Sequence, residues 1–86
     1  MASLFVLDVE DFAPFWQNAR SDDEITITHR GPYVEITFPR ELTIDRAATG
    51  VRHALWYSAI GGVAGAQVEQ YDKHQLKLVA QEPARV

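Results

Sequence analysis

Three histidines, His29, His53 and His74, are the first side chains to test for chemistry, because a general base or a metal centre would draw on them. Their spacing does not serve either purpose. They fall in a strand end, a helix and a turn, with no HxH or HxxxH pair, so three distant elements would have to converge to hold a metal. Ordinary surface or packing roles account for them. The acidic groups Asp8, Glu10, Asp11 and Asp22, Asp23, Glu24 offer hard-cation ligands, yet each group sits at an element boundary, where carboxylates cap helices and solvate turns. Ser3, Ser21 and Ser58 have no G-x-S-x-G setting, and the run Gly61-Gly62-Val63-Ala64-Gly65 has neither the lysine nor the following helix of a P-loop. A helix-to-strand corner explains that run. These residues assemble no catalytic set, so binding is the expected activity and no cofactor or metal is expected.

Composition narrows the binding partner. The 86 residues, 47% hydrophobic and 10% aromatic, suffice for one core that buries roughly 60 to 65% of the unfolded chain's surface. One domain over residues 1–86 is expected. Without cysteine there is no disulfide framework and no thiolate site, which fits a reducing compartment. Met1 to Leu7 is too short for a signal-peptide apolar region and runs into Asp8, Glu10 and Asp11, so the cytoplasm is the expected location. No apolar run reaches the roughly 20 residues of a membrane span. A formal charge of -4, with eight basic residues thinly spread, makes nucleic acid and anionic membranes poor partners. A protein or an apolar ligand remains.

The elements follow from periodicity. Ser3 to Leu7 reads as a short strand or a loosely held arm within residues 1–10. Asp11 stands as an N-cap, with Pro14 in the first turn and Phe12, Phe15, Trp16 and Ala19 at helical spacing, which predicts a helix ending near Arg20. From Glu24 the period becomes two: Ile25 and Ile27 alternate with Thr26 and Thr28. Gly31-Pro32 then turns the chain into Tyr33 to Phe38, where Val34, Ile36 and Phe38 share a face. Pro39 stops that strand. Thr43 is the expected N-cap of the longest helix, with Asp45 in its first turn and a core stripe of Ile44, Ala47, Ala48, Val51, Leu55 and Ser58 up to Gly61-Gly62. Gln67 to Tyr71 and Gln75 to Ala80 alternate around Asp72, Lys73 and His74, with Val68, Leu76 and Leu78 as core, and residues 81–86 form a frayed tail. The expected fold is α+β, with antiparallel sheet from two hairpins, two helices and the order βαββαββ.

One pattern departs from an ordinary amphipathic helix. At about 100° per residue, the face opposite the core stripe carries Thr49, His53, Trp56, Tyr57 and Ile60 instead of solvated side chains. Two explanations stand side by side. Either Trp56 and Tyr57 anchor a protein interface, or the amino-terminal helix or the tail buries them.

Asp11-Phe12-Ala13-Pro14-Phe15-Trp16, Glu24-Ile25-Thr26-Ile27-Thr28, Tyr33-Val34-Glu35-Ile36, Leu42-Thr43-Ile44-Asp45-Arg46, Ser58 leading to Gly65-Ala66-Gln67, and Gln75-Leu76-Lys77-Leu78 follow one another in a familiar order. In this the chain resembles the small effector or coupling proteins of soluble multicomponent diiron monooxygenases, the regulatory proteins of toluene, alkene, phenol and methane monooxygenases, and most closely those of toluene and alkene oxidation. The resemblance covers most of residues 11–80. It implies a cofactor-free, non-catalytic subunit, a monomer when free, that docks on the diiron hydroxylase above its metal centre and tunes oxygen activation, substrate access and coupling. The partner-binding residues expected from this chain's own pattern are Arg52, His53, Trp56 and Tyr57, with Gln67 near the glycine corner. Two other readings stay open: a ferredoxin-like, ACT-like ligand-binding module, which the element order contains, and a small enzyme using His53 with a nearby carboxylate.

Overall fold

Ala2–Leu7 forms strand β1, with Ala2, Ser3, Leu4 and Val6 buried and Phe5 and Leu7 half-buried, so the strand and not the arm describes this segment. The computed structural model describes residues 2–21, 24–58 and 60–81. After β1 come a 3-10 turn (Glu10–Phe12), helix α1 (Ala13–Gln17), β2 (Thr26–Arg30), β3 (Tyr33–Phe38), β4 (Glu41–Asp45), α2 (Arg46–Thr49), α3 (His53–Ser58), β5 (Ile60–Ala64), β6 (Ala66–Tyr71) and β7 (Gln75–Ala80). The strands form two sheets, ordered β2-β3-β1-β5 and β4-β7-β6, with antiparallel pairing throughout. The fold is α+β. A ferredoxin-like module needs one sheet with a parallel central pair, and this arrangement does not supply it.

Both expected hairpins form, around Gly31-Pro32 and around Asp72-Lys73-His74. The chain crosses between sheets directly at two corners, Pro39-Arg40 and Gly65, the latter at φ 70°, and once more from β4 to β5 through α2 and α3. The end of β7 fastens both corners, because Ala80 N donates to Arg40 O at 2.7 Å and Gln81 N to Gly65 O at 2.8 Å. Beyond Gln81, the expected frayed tail lies outside the described residues.

The middle of the chain departs from the sequence reading. The long helix expected from Thr43 is a strand, a four-residue helix, a break and a six-residue helix. Thr43 does not cap; it lies in β4, whose ladder with β7 pairs Leu42 with Leu78 and Ile44 with Leu76. That pairing buries both residues completely, a gain a solvated first helical turn would not match. Gly50 ends α2 at φ 72° in the left-handed region, while Thr49 Oγ1 donates to Arg46 O and accepts from Val51 N. Ala47, Ala48 and Ser58 of the expected core stripe are exposed, whereas Ile44 and Val51 are buried and Leu55 is half-buried. Gly61 to Ala64 of the glycine run form a strand and only Gly65 is a corner, for a reason found in the neighbour of Gly61. A side chain at Gly61 would place its Cβ 2.4 Å from Tyr33 Cε1, so the ring of β3 occupies the space that a side chain would need.

Smaller corrections apply at the amino-terminal helix and on β6. Asp11 makes no capping bond; it lies in the 3-10 turn, and α1 stops at Gln17 because Arg20 is taken up by β4, exchanging 2.7 and 2.8 Å backbone bonds with Thr43. Val68 points toward the core side with Leu78 but is 46% exposed, since β6 is an edge strand beyond the reach of the opposing layer. The core between the sheets joins Leu4, Val6, Ile36 and Phe38 to Leu42, Ile44, Leu76 and Leu78. Phe12, Phe15 and Trp56 from the helices close it.

Candidate functional site

Helix α3 is held in place by its tryptophan. Trp56 is fully buried, stacks on Phe15 of α1 with ring centroids 5.2 Å apart, and donates Nε1–H to Asp72 O at 2.7 Å. Tyr71 completes the clasp. Its hydroxyl donates to Trp56 O at 2.8 Å, and burial followed by the neighbouring Tyr57 raises its pKa above the ordinary phenol value. Of the two sequence explanations for Trp56, burial by the amino-terminal helix is the one observed. An indole enclosed on all sides cannot touch a partner directly, so its contribution is to fix α3 against the β6–β7 turn.

Trp56 turns inward, and Tyr57, one position and about 100° further round the helix, turns away from it. Arg52, His53, Ala54, Tyr57 and Ser58 are exposed, Tyr57 at 50% with its ring 5.2 Å from that of Tyr71. The β6–β7 turn lies beside them. Asp72 shapes that turn: Oδ1 accepts from His74 N at 2.8 Å and Gln75 N at 3.0 Å, and Oδ2 accepts from Gln70 Nε2 at 2.8 Å. These bonds, the His74 amide first, hold its carboxyl below the usual carboxylate range. Arg46 links the same turn to α2, its backbone N donating to His74 O at 2.9 Å and its Nε to Lys73 O. The structure therefore gathers Arg52, His53 and Tyr57 with Lys73 and His74. Reading the sequence alone placed Lys73 and His74 in a polar turn without associating them with α3, because only the Trp56 and Arg46 hydrogen bonds bring that turn there.

Gln67 is not part of this group. It sits near the Gly65 corner, opposite Val79 on the outer side of the ladder, four residues from Tyr71 and so roughly 13 Å along the strand.

His29, Ser3 and Ser58 have structural partners. His29 Nδ1 lies 2.8 Å from Asp8 Oδ2, and its ring meets Trp16 edge-on at 6.3 Å. Ser3 Oγ donates to Glu35 Oε2 at 2.6 Å, a bond that, with the Arg30 guanidinium, lowers the Glu35 pKa. Ser58 Oγ bonds back to Ala54 O at 2.7 Å within its own helix. His53 has no hydrogen bond or ion pair to another described residue. Among the described residues no group of three or more His, Asp or Glu side chains could hold a metal ion, and no helix is long and apolar enough to cross a membrane. A shallow open depression of about 240 Å³ is lined by Arg20, Ser21, Glu41 and Thr43.

No protein-family model matches the sequence, and no curated protein matches it. Among solved structures, the chain is similar to one in the structure of a phenol hydroxylase-regulatory protein complex, with a TM-score of 0.72 and 15% identity. The superposition covers 91% of this chain and 95% of that one, so the two are nearly equal in extent, and what they share at this identity is the fold.

Proposed function

We propose that this chain is a non-catalytic regulatory subunit that binds the hydroxylase of a multicomponent diiron monooxygenase and tunes its oxygen activation and substrate hydroxylation or epoxidation. The observation that carries the reading is the end-to-end likeness of fold to a chain from a complex of a hydroxylase with a regulatory protein. The site geometry supports it from a second direction. An exposed helix face with charged and aromatic side chains, fixed from beneath by a buried tryptophan, suits contact with a protein and lacks the paired groups of acid-base or nucleophilic catalysis.

A subunit of this kind works by differential affinity. It shifts the hydroxylase between two conformations only to the extent that it binds one more tightly, because equal affinity for both moves neither. The hydroxylase supplies the metal and the chemistry; this chain supplies binding free energy. The test is reconstitution of a hydroxylase with its electron-transfer components, with and without this chain. Product formation should rise to an optimum near one chain per active site, and peroxide leak should fall. Equal rates and equal leak with and without the chain would refute the proposal.

A further inference from the structure

The end of the molecule built from α2, α3 and the β6–β7 turn is electropositive in an acidic chain. Residues 46–58 and 72–74 contain Arg46, Arg52 and Lys73 against the single acid Asp72, a formal +2, while the whole chain is -4 and the remainder therefore -6. Two of the three histidines, His53 and His74, stand in the same two segments. The one acid is already engaged by two backbone amides and Gln70. Its charge is turned into the turn. Arg52, His53, Lys73 and His74 are exposed, and the side chains of Arg52, His53 and Lys73 make no hydrogen bond or ion pair to another described residue. By contrast, Arg20, Arg30 and Lys77 are paired with Asp45, Glu35 and Glu69.

We infer that this basic end, with the exposed Tyr57 of α3, is the surface that meets the partner, and that it fits an acidic protein surface on the hydroxylase. The inference rests on the regulatory reading above and adds to it where contact is made and which charge the partner presents. Uncompensated cations around a half-exposed tyrosine combine a steering field with an amphipathic anchor of low conformational cost. The anchor is rigid for a stated reason: the Trp56–Asp72 and Tyr71–Trp56 hydrogen bonds lock the helix to the turn, so the charges keep their relative positions before binding.

The experiment compares two variants of equal net charge. Arg52→Gln/Lys73→Gln removes two positive charges from the basic end, and Gln17→Glu/Thr26→Glu adds two negative charges at exposed positions on α1 and β2. Thermal melts establish that both fold; if the first double variant melts early, Arg52→Gln and Lys73→Gln are measured singly. Binding to the hydroxylase is followed by titration at several salt concentrations. Expected is a roughly tenfold weaker Kd and a shallower salt dependence for Arg52→Gln/Lys73→Gln, with the control within about twofold of wild type. Equal losses in the two variants, or wild-type affinity for the first, overturn the surface while wild-type stimulation of turnover leaves the regulatory role standing. Failure of the wild-type chain to bind or stimulate the hydroxylase overturns both. An oligonucleotide that binds the basic end as tightly as the hydroxylase does would overturn the assignment to an acidic protein surface.

Discussion

Replacing Trp56 probes the central claim about α3, that its tryptophan is a fastening and not a contact. The indole is fully buried, so Trp56→Ala removes its packing against Phe15 and Tyr71 at about 3–5 kcal/mol. It also leaves Asp72 O without its indole donor, a further cost of about 1 kcal/mol. A domain of this size has roughly 4–13 kcal/mol in all, so the variant should be marginal or unfolded, with Tm lowered by at least about 15 °C. Trp56→Phe keeps most of the packing and loses chiefly the N–H donor, for about 1–2 kcal/mol and a Tm lowered by about 5–10 °C. Circular-dichroism melts give both values. Acrylamide quenching in a Trp16→Phe background then reports on Trp56 alone, whose emission should be blue-shifted and shielded. A Trp56→Ala melt within about 5 °C of wild type, or quenching like that of free tryptophan, would refute the reasoning.

Two further outcomes follow from the geometry. Gly61→Ala puts a Cβ where the Tyr33 ring lies and should cost about 1–2 kcal/mol in urea unfolding, a loss that Tyr33→Ala added to it should partly relieve; additive costs would show that the two positions do not touch. Glu35 and Asp72 have depressed pKa values in the folded state, so each contributes stability above its unfolded pKa that disappears as pH falls through the folded one. Urea midpoints should therefore decline below about pH 4, less steeply in Asp72→Asn, and an unchanged acid limb in that variant would count against the turn's hydrogen bonds.

Local pattern was sufficient wherever a segment's own periodicity agreed with its final partners. Ile25 to Phe38 alternates in a single sense around Gly31-Pro32, and Gln75 to Ala80 does so after a polar turn, so both hairpins were legible without knowing the rest of the fold. The α+β class followed from them.

What the chain alone left ambiguous was decided by distant contacts. Leu42 and Ile44 are compatible with the start of a helix and with a strand, and β7 resolves the choice by burying both in its ladder. Thr49-Gly50 carried a helix-stop signal that the longer apolar stripe masked. Glycine at 61 argues against a strand by propensity, yet Tyr33 makes it the residue that fits there. The same holds for the proposed contact surface. Periodicity marked Thr49, His53, Trp56, Tyr57 and Ile60 as one face with Arg52 beside it, but the break at Gly50 resets the helix, Phe15 takes Trp56 into the core, and the Asp72 carbonyl draws Lys73 and His74 alongside. The last two are contacts between residues far apart in the chain, which no local window contains.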